Sequence, residues 1–354
     1  PLTVNSIPVG DRFIAAFTPA SDNLEARLII QRQAPDAGIT DGRVTFVNSR
    51  DREGAPDKSC RDADIALLTN GRGAMTRMCA DLGRVTSKYD CVLGANLHPS
   101  LPVDRHIFVK RMRVWINADG FIAPLNRDNL KSFESDGSEA RWRFIAGAGD
   151  GHAVDIELTA TMTPNENTVI LTFGRSDVSS SVGRNLPEKC AVNLTVRMDV
   201  EDRNFHTQTK RSDAADHHFQ THTAPHERGF VFKPGTDRVL RVETEAGAFH
   251  SESEWSENIP HPVEQTRGQE GTGDSYSPGW FVIPVAMGQQ TAITVTAEPE
   301  MTAPPASTPR PKEKENSEAS GTFQERLERA VDAFVVRRDE GKTVIAGYPW
   351  ILDW

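Results

Sequence analysis

The stretch AVDIELTATM, residues 153–162, sets Val154, Ile156, Leu158, Ala160 and Met162 on every second position, with Asp155, Glu157, Thr159 and Thr161 between them. A side-chain period of two turns one face to a core and the other to water, the signature of an antiparallel sheet with one dry side. Residues 191–200, AVNLTVRMDV, repeat the pattern with Val192, Leu194, Val196, Met198 and Val200. Outward from these two, segments such as RFIAAF, ARLIIQR, RVTFVN, YDCVLGANL, IFVKRMRVWI, RWRFIA, TVILTF, FVFK, WFVIPV and AITVTAE alternate or run apolar, with Gly, Pro, Asn and Asp clustered between them as turns. A dozen or so strands without a long helical period predict a mainly β fold: a large antiparallel sandwich, with no internal repeat.

Composition narrows the function. The chain has 354 residues, 37% hydrophobic and 25% charged, with a formal net charge of −10. That balance opposes a general phosphate-backbone binder, which needs a basic face, so no nucleic-acid partner is expected. No run approaches the apolar length of a membrane-spanning helix, so no membrane partner is expected either. The opening PLTVNSIPVGDRF lacks a charged segment followed by an apolar one, and the expected location is the cytoplasm. Four cysteines (Cys60, Cys79, Cys91, Cys190) without CxxC spacing fit free thiols in a reducing compartment. The aromatic ending and the absence of an initiator Met suggest a piece of a longer polypeptide.

After the strands the composition changes. Residues 299–321 are rich in Pro, Ser and charge with little to bury, and read as a solvated linker. Then Phe323, Leu327, Ala330, Val331, Phe334 and Val335 form one helical stripe. Thr322 with Glu325 makes a capping-box pair, Arg337 and Arg338 suit the negative end of the dipole, and Gly341 can stop the helix. The spacing predicts a helix over 322–340, its apolar stripe in need of a partner.

The last 25 residues, AVDAFVVRRDEGKTVIAGYPWILDW, carry a resemblance. They are similar to the junction in bacterial and archaeal glycogen debranching enzymes of the amylo-α-1,6-glucosidase type, where such a segment leads into a catalytic (α/α)₆ barrel. Four more stretches resemble that family's N-terminal domain. LLTNGRGAMTRM (67–78) has Ala74 where a second glycine is usual. GRVTSKYDCVLGANLHPSLPVDRHIFVKRM (83–112) has Ser87 in place of an arginine. RMDVEDRNFHTQTK (197–210) and HPVEQTRGQEGTGDSYSPGWFVIPVAMGQ (261–289) complete the set, the latter with Gly273 where an acidic residue is usual. The resemblance implies a β-supersandwich over 67–298, a linker over 299–321, a linker helix over 322–340 and the start of the barrel over 341–354. Residues 1–66 match nothing in the family; they read as strands of open role, either part of the sandwich or separate from it.

The implied function is support of a barrel that hydrolyses α-1,6 branches of glycogen or a limit dextrin, and the implied partners are that α-glucan and the barrel of the same polypeptide. A non-catalytic α-glucan-binding module acting alone is the alternative. Two carboxylates and a water suffice for the hydrolysis, so no cofactor or metal is expected. The resemblance places both carboxylates beyond Trp354, which leaves no catalytic residue in this chain.

Substrate contact is expected at Tyr348, Trp350, Asp353 and Trp354, because indoles and phenols stack on sugar faces and a carboxylate accepts from hydroxyls; packing or capping is the plainer alternative. The acidic runs Glu252 with Glu254, and Asp199, Glu201 and Asp202, read as solvated strand faces. Lys110, Arg111 and Arg113 read as an exposed basic face with salt-bridging neighbours. His217, His218, His222 and His226 have metal-like spacing, but Pro225 and the neighbouring threonines point to an exposed loop. Asn70-Gly71 with Gly73 reads as a tight turn between strands, the alternative being a loop that reaches toward a sugar. Arg267-Gly268, Asp274, Tyr276 and Trp280 form a second candidate ligand face.

Overall fold

The computed structural model describes residues 7–9, 12–14, 25–31, 39–45, 64–98, 100–149, 151–176, 184–299 and 323–353. Two compact units divide the chain, Pro1–Ala55 and Pro56–Trp354. The first contains two antiparallel hairpins, β1 (Ile7–Val9) with β2 (Arg12–Ile14) and β3 (Glu25–Gln31) with β4 (Ile39–Thr45).

The second unit is built from β5 (Ile65–Thr69), β6 (Met75–Cys79), β7 (Cys91–Ala95), β8 (His106–Ala118), β9 (Phe121–Pro124), β10 (Leu130–Ser135), β11 (Glu139–Gly147), β12 (His152–Met162), β13 (Thr168–Arg175), β14 (Arg184–Asn185) and β15 (Val192–Asn204). There follow α1 (Asp213–His222), β16 (Thr223–His226), β17 (Gly229–Phe232), β18 (Val239–Thr244), β19 (Ala248–His250), β20 (Glu254–Pro260), α2 (Pro262–Thr266), β21 (Thr272–Ser277), β22 (Trp280–Pro284) and β23 (Gln290–Glu298). The chain closes with α3 (Phe323–Asp332), β24 (Val335–Arg338), β25 (Gly341–Gly347) and β26 (Ile351–Asp353).

Two large sheets face each other. One runs β10-β11-β12-β13-β23-β18-β17-β16, and the other runs β19-β22-β15-β8-β7-β6-β5 with β9, β20 and β21 attached. Nearly every pairing is antiparallel, the exception in these sheets being β14 on β12. The period-two residues behave as read: Val154, Ile156, Leu158, Ala160 and Met162 are buried while Glu157 is exposed. They meet Leu194, Val196 and Met198 of β15 in one core, joined by Phe108, Trp142, Phe144, Phe173 and Phe281. Because each sheet keeps one apolar face, stacking the two removes both from water at once.

The C-terminal part departs from the expected helix over 322–340. The helix ends at Asp332, and the strands Val335–Arg338 and Gly341–Gly347 follow as a pair with Val335 opposite Val344 and Arg338 opposite Gly341. Arg337, Arg338 and Gly341 therefore serve a hairpin rather than a helix end. Asp339, at φ 48°, makes its two-residue turn. The β-branched pair Val335-Val336 favours a strand, and burial of Val336 and Ile345 under the same sheet secures it. The apolar positions Leu327 and Val331 on α3 are exposed. Thr322, the expected cap, and nearly all of the expected linker lie outside the described residues, as does Cys60. Cys79, Cys91 and Cys190 are free thiols. Among the described residues no helix is long and apolar enough to cross a membrane.

Leu158→Ala, at a site with 0% exposure, is expected to lower the unfolding free energy by about 2–5 kcal/mol. Glu157→Ala next to it should change stability by no more than about 0.5 kcal/mol. Urea titration of both variants checks the assignment of faces, and equal effects would refute it.

Candidate functional site

Four of the segments singled out in the sequence converge where the terminal hairpin docks. Val336, Ile345 and Tyr348 pack on Met75, Tyr89, Cys91, Ile107 and Phe205, on the side of the second sheet away from the main core. Backbone bonds hold the edges: Arg337 N donates to Gly71 O at 2.8 Å and Asp339 N to Ser100 O at 2.7 Å. Thr69 Oγ1 donates to Ala333 O at 2.9 Å. The turn that offers Gly71 O needs positive φ at Gly71 (73°) and Gly73 (104°). Asn70 Oδ1 braces it by accepting from Arg72 N and Ala74 N. The expected tight turn is therefore present, and its carbonyls serve as anchor points.

Arg105, with 0% exposure, sits at the centre. Its Nε donates to Gly73 O at 3.2 Å and its Nη1 to Pro349 O at 2.9 Å. The guanidinium lies over the rings of Tyr348 (4.6 Å) and Phe205 (5.3 Å). Tyr348 is joined to Pro349 by a cis peptide bond, and burial pushes its phenol up to about 12.

Beside this anchor lies a buried polar seat. Glu264 of α2 accepts from Ser87 Oγ at 2.7 Å and from Lys88 N at 2.9 Å. Lys110 Nζ donates to Ser87 O (2.9 Å) and Lys88 O (2.8 Å), and Arg203 Nη2 donates to Lys88 O (2.6 Å). Arg203 Nε in turn donates to Glu201 at 2.7 Å. Burial drives Lys110 down to about 7 against the opposing pull of Glu201. Burial, with Lys110 and Arg203 nearby, drives His261 down to about 2. The 87–88 loop is thus fixed from several elements by charges that water does not reach.

Several expectations require correction. Arg111 and Arg113 have the salt-bridging neighbour expected, Asp199, but both are half-buried and Lys110 is wholly buried, so this strand is no exposed face. Asp199 and Glu201 are buried too: they keep the face opposite Met198 and Val200, but that face is covered rather than wet. Asp202 accepts from His106 (2.7 Å), His218 (3.0 Å) and Arg238 (2.8 Å). Burial pushes its carboxyl up, but the bonds and charges of His106 and Arg238 overrule it and hold it well below the usual range. His217, His218 and His222 lie on helix α1 rather than a loop, capped by Ser212 with Asp213 and Asp216 in its first turn; only His226 falls beyond it, on β16.

The expected contact residues separate. Tyr348 is buried under its own turn, whereas Trp350 is exposed, with the Arg267 guanidinium 4.7 Å over its ring. Asp353 pairs with Arg338. Trp354 lies outside the described residues. Of the second candidate face, only Arg267 joins the first. Asp274 accepts from Arg211 N and Asn258 N, each at 2.8 Å. Tyr276 stacks on Phe219 in the main core, and Trp280 stacks on His250. Sequence reading missed Arg105, Ser87 with Glu264, and His261 as structural centres. The signal was their place inside the family-like stretches, but no local pattern joins residues so far apart in the chain.

A family model described as "Glycogen debranching enzyme N terminal" matches residues 66–292, more than half of the chain. No curated protein matches the sequence. Among solved structures, a heparan sulfate lyase HepC mutant from Pedobacter heparinus aligns over 69% of this chain and 36% of its own, with a TM-score of 0.37 and 8% identity. HepC itself, from the same organism, aligns over 53% and 24% with a TM-score of 0.29 and 9% identity. A heparinase III, the BT4657 gene product with methylated lysines, aligns over 52% and 23% with a TM-score of 0.27 and 9% identity. The chain spans about a third of the length of the first of these.

The polar seat predicts a pH dependence. Unfolded, Lys110 holds its proton up to 10.5, but folded only up to about 7. Between those values the unfolded chain binds more protons, so this residue makes stability rise with pH, by at most about 1.4 kcal/mol per unit. Denaturation from pH 7 to about 8.5 should show that rise in the parent chain and a flatter profile in Lys110→Met; the thiols, which begin to ionise at the top of that window, act alike in both chains.

Proposed function

The chain belongs to the family of glycogen debranching enzyme N-terminal domains, and from that membership we propose that it is the non-catalytic sandwich of an amylo-α-1,6-glucosidase. The reaction is hydrolysis of α-1,6-linked glucose branches on glycogen or a related limit dextrin in the cytoplasm. Its acid and base come from an (α/α)₆ barrel of the same polypeptide, with water as the co-reactant and no cofactor. The exposed Leu327 and Val331 stripe of α3 docks on that barrel.

The observation that carries the reading is the approach of Arg267 to Trp350. A loop of the sandwich and the aromatic turn of the terminal segment, both from family-like stretches, meet at one place. Trp350, Trp354 and Asp353 are the sugar-contact residues in this proposal: the indoles offer apolar faces to the sugar ring and Asp353 accepts from a hydroxyl. Tyr348 supports them from beneath. In the whole enzyme the sandwich holds this turn at the mouth of the barrel and shapes the entrance.

In the full-length enzyme, Trp350→Ala should lower kcat/KM on a branched limit dextrin at least about tenfold, a loss of about 1.4 kcal/mol, with the melting temperature of the sandwich unchanged. Wild-type turnover by that variant would discard the sugar-contact role. The 354-residue chain alone should release no glucose from the dextrin, and measurable release would overturn the assignment of the carboxylates to the barrel.

A further inference from the structure

Arg105 stands out because burying a guanidinium is costly. Among the described residues it forms no ion pair, and its Nη2 has no hydrogen-bond partner. Burial lowers its pKa, as an uncompensated buried cation requires. A charge held in that position is retained for what its geometry does.

That geometry links four parts of the chain that are distant in sequence. Nε reaches the β5–β6 turn at Gly73 O, and Nη1 reaches the terminal turn at Pro349 O. One π-face meets Phe205, just beyond β15, and the ring of Tyr348 belongs to the terminal turn. The backbone carbonyl of Arg105 accepts from Phe205 N at 3.0 Å, which fixes that ring relative to the arginine. Pro349, whose carbonyl is held, directly precedes Trp350.

We propose that Arg105 is the positioning residue of the aromatic turn: clamped at Phe205 and Gly73, it holds Tyr348 and Pro349 and thereby sets the indole of Trp350 against Arg267. A lysine cannot replace it. Lysine brings a point charge where two divergent N–H bonds and a flat cation along aromatic rings are required. The consequence for substrate rests on the proposed sugar contact of Trp350; the positioning itself does not.

The test uses the 354-residue chain labelled with 5-fluorotryptophan. The chain has six tryptophans, and the Trp350 fluorine resonance is assigned by its disappearance in Trp350→Phe. In Arg105→Lys that resonance should move toward the position of a solvent-exposed indole, while that of Trp142 in the main core stays in place. An unmoved Trp350 resonance in the folded variant overturns the proposal. If Arg105→Lys loses the Trp142 resonance and so does not fold, Tyr348→Leu removes one ring from the guanidinium and is read in the same way: displacement of Trp350 alone supports the role, and no displacement overturns it. In the full-length enzyme, Arg105→Lys should raise KM for the limit dextrin about fivefold or more with kcat within about twofold. A displaced resonance with unchanged KM supports the positioning role while removing the sugar contact, so the two ideas fail separately.

Discussion

An antiparallel sheet ordinarily keeps one face wet, so that polar side chains on alternate positions stay solvated; the central strands β8 and β15 lose that outlet because they are covered on both sides. Their inner face meets the first sheet, and their outer face is covered by the 84–90 loop, α2 and the terminal segment. Asp199, Glu201 and Arg203, which alternation assigns to water, are therefore enclosed, and so is Lys110, which the bulge in β8 leaves between Val109 and Arg111. An enclosed charge demands a partner or a set of carbonyls, since an isolated one would cost several kcal/mol. The hydrogen bonds of this region follow from that demand. Lys110 takes the carbonyls of Ser87 and Lys88, Arg203 takes Glu201, and Asp199 takes Arg111 and Arg113.

Once the outer face is polar and enclosed, the segments that cover it are held rigidly. The 87–88 loop is tied to α2 through Glu264 and to β8 through Lys110, and the terminal turn is tied to the β5–β6 turn through Arg105. The terminal hairpin is thus part of the sandwich's own packing, contributing Val336, Ile345 and Tyr348 to a small second core. Rigid seating of a surface aromatic matters for the proposed role, because a contact residue held by its neighbours loses less freedom when it meets a ligand. Trp350 is exposed while the two residues before it are buried, which is the arrangement such a role requires.

Alternation was a sufficient guide wherever one face stayed wet. In the first half of β15 the inward and outward residues are those that spacing assigns, and so they are in β12 except at Asp155, which is buried and bound by Arg143. It failed at 199–203, where the outer face is covered rather than wet, and at 335–347, where Val335, read as part of a helical stripe, opens a strand. The histidine-rich helix α1 was missed because Pro225 was weighed against it, although Pro225 lies beyond its end on an edge strand, where a missing N–H costs nothing.

By itself, the sequence determined the class of fold and its two apolar faces, because side-chain period is a local property that each strand declares alone. It also determined family membership through a few long stretches. Only the tertiary structure decided which charges are buried, where the last helix ends, and which aromatic residue of the terminal turn faces outward. Those outcomes depend on contacts between residues far apart in the chain, such as Arg267 with Trp350 among the nearer, Arg105 with Pro349 and Thr69 with Ala333 among the farther. No local pattern records them, since the energy that selects a partner arises only when the two sheets have already closed.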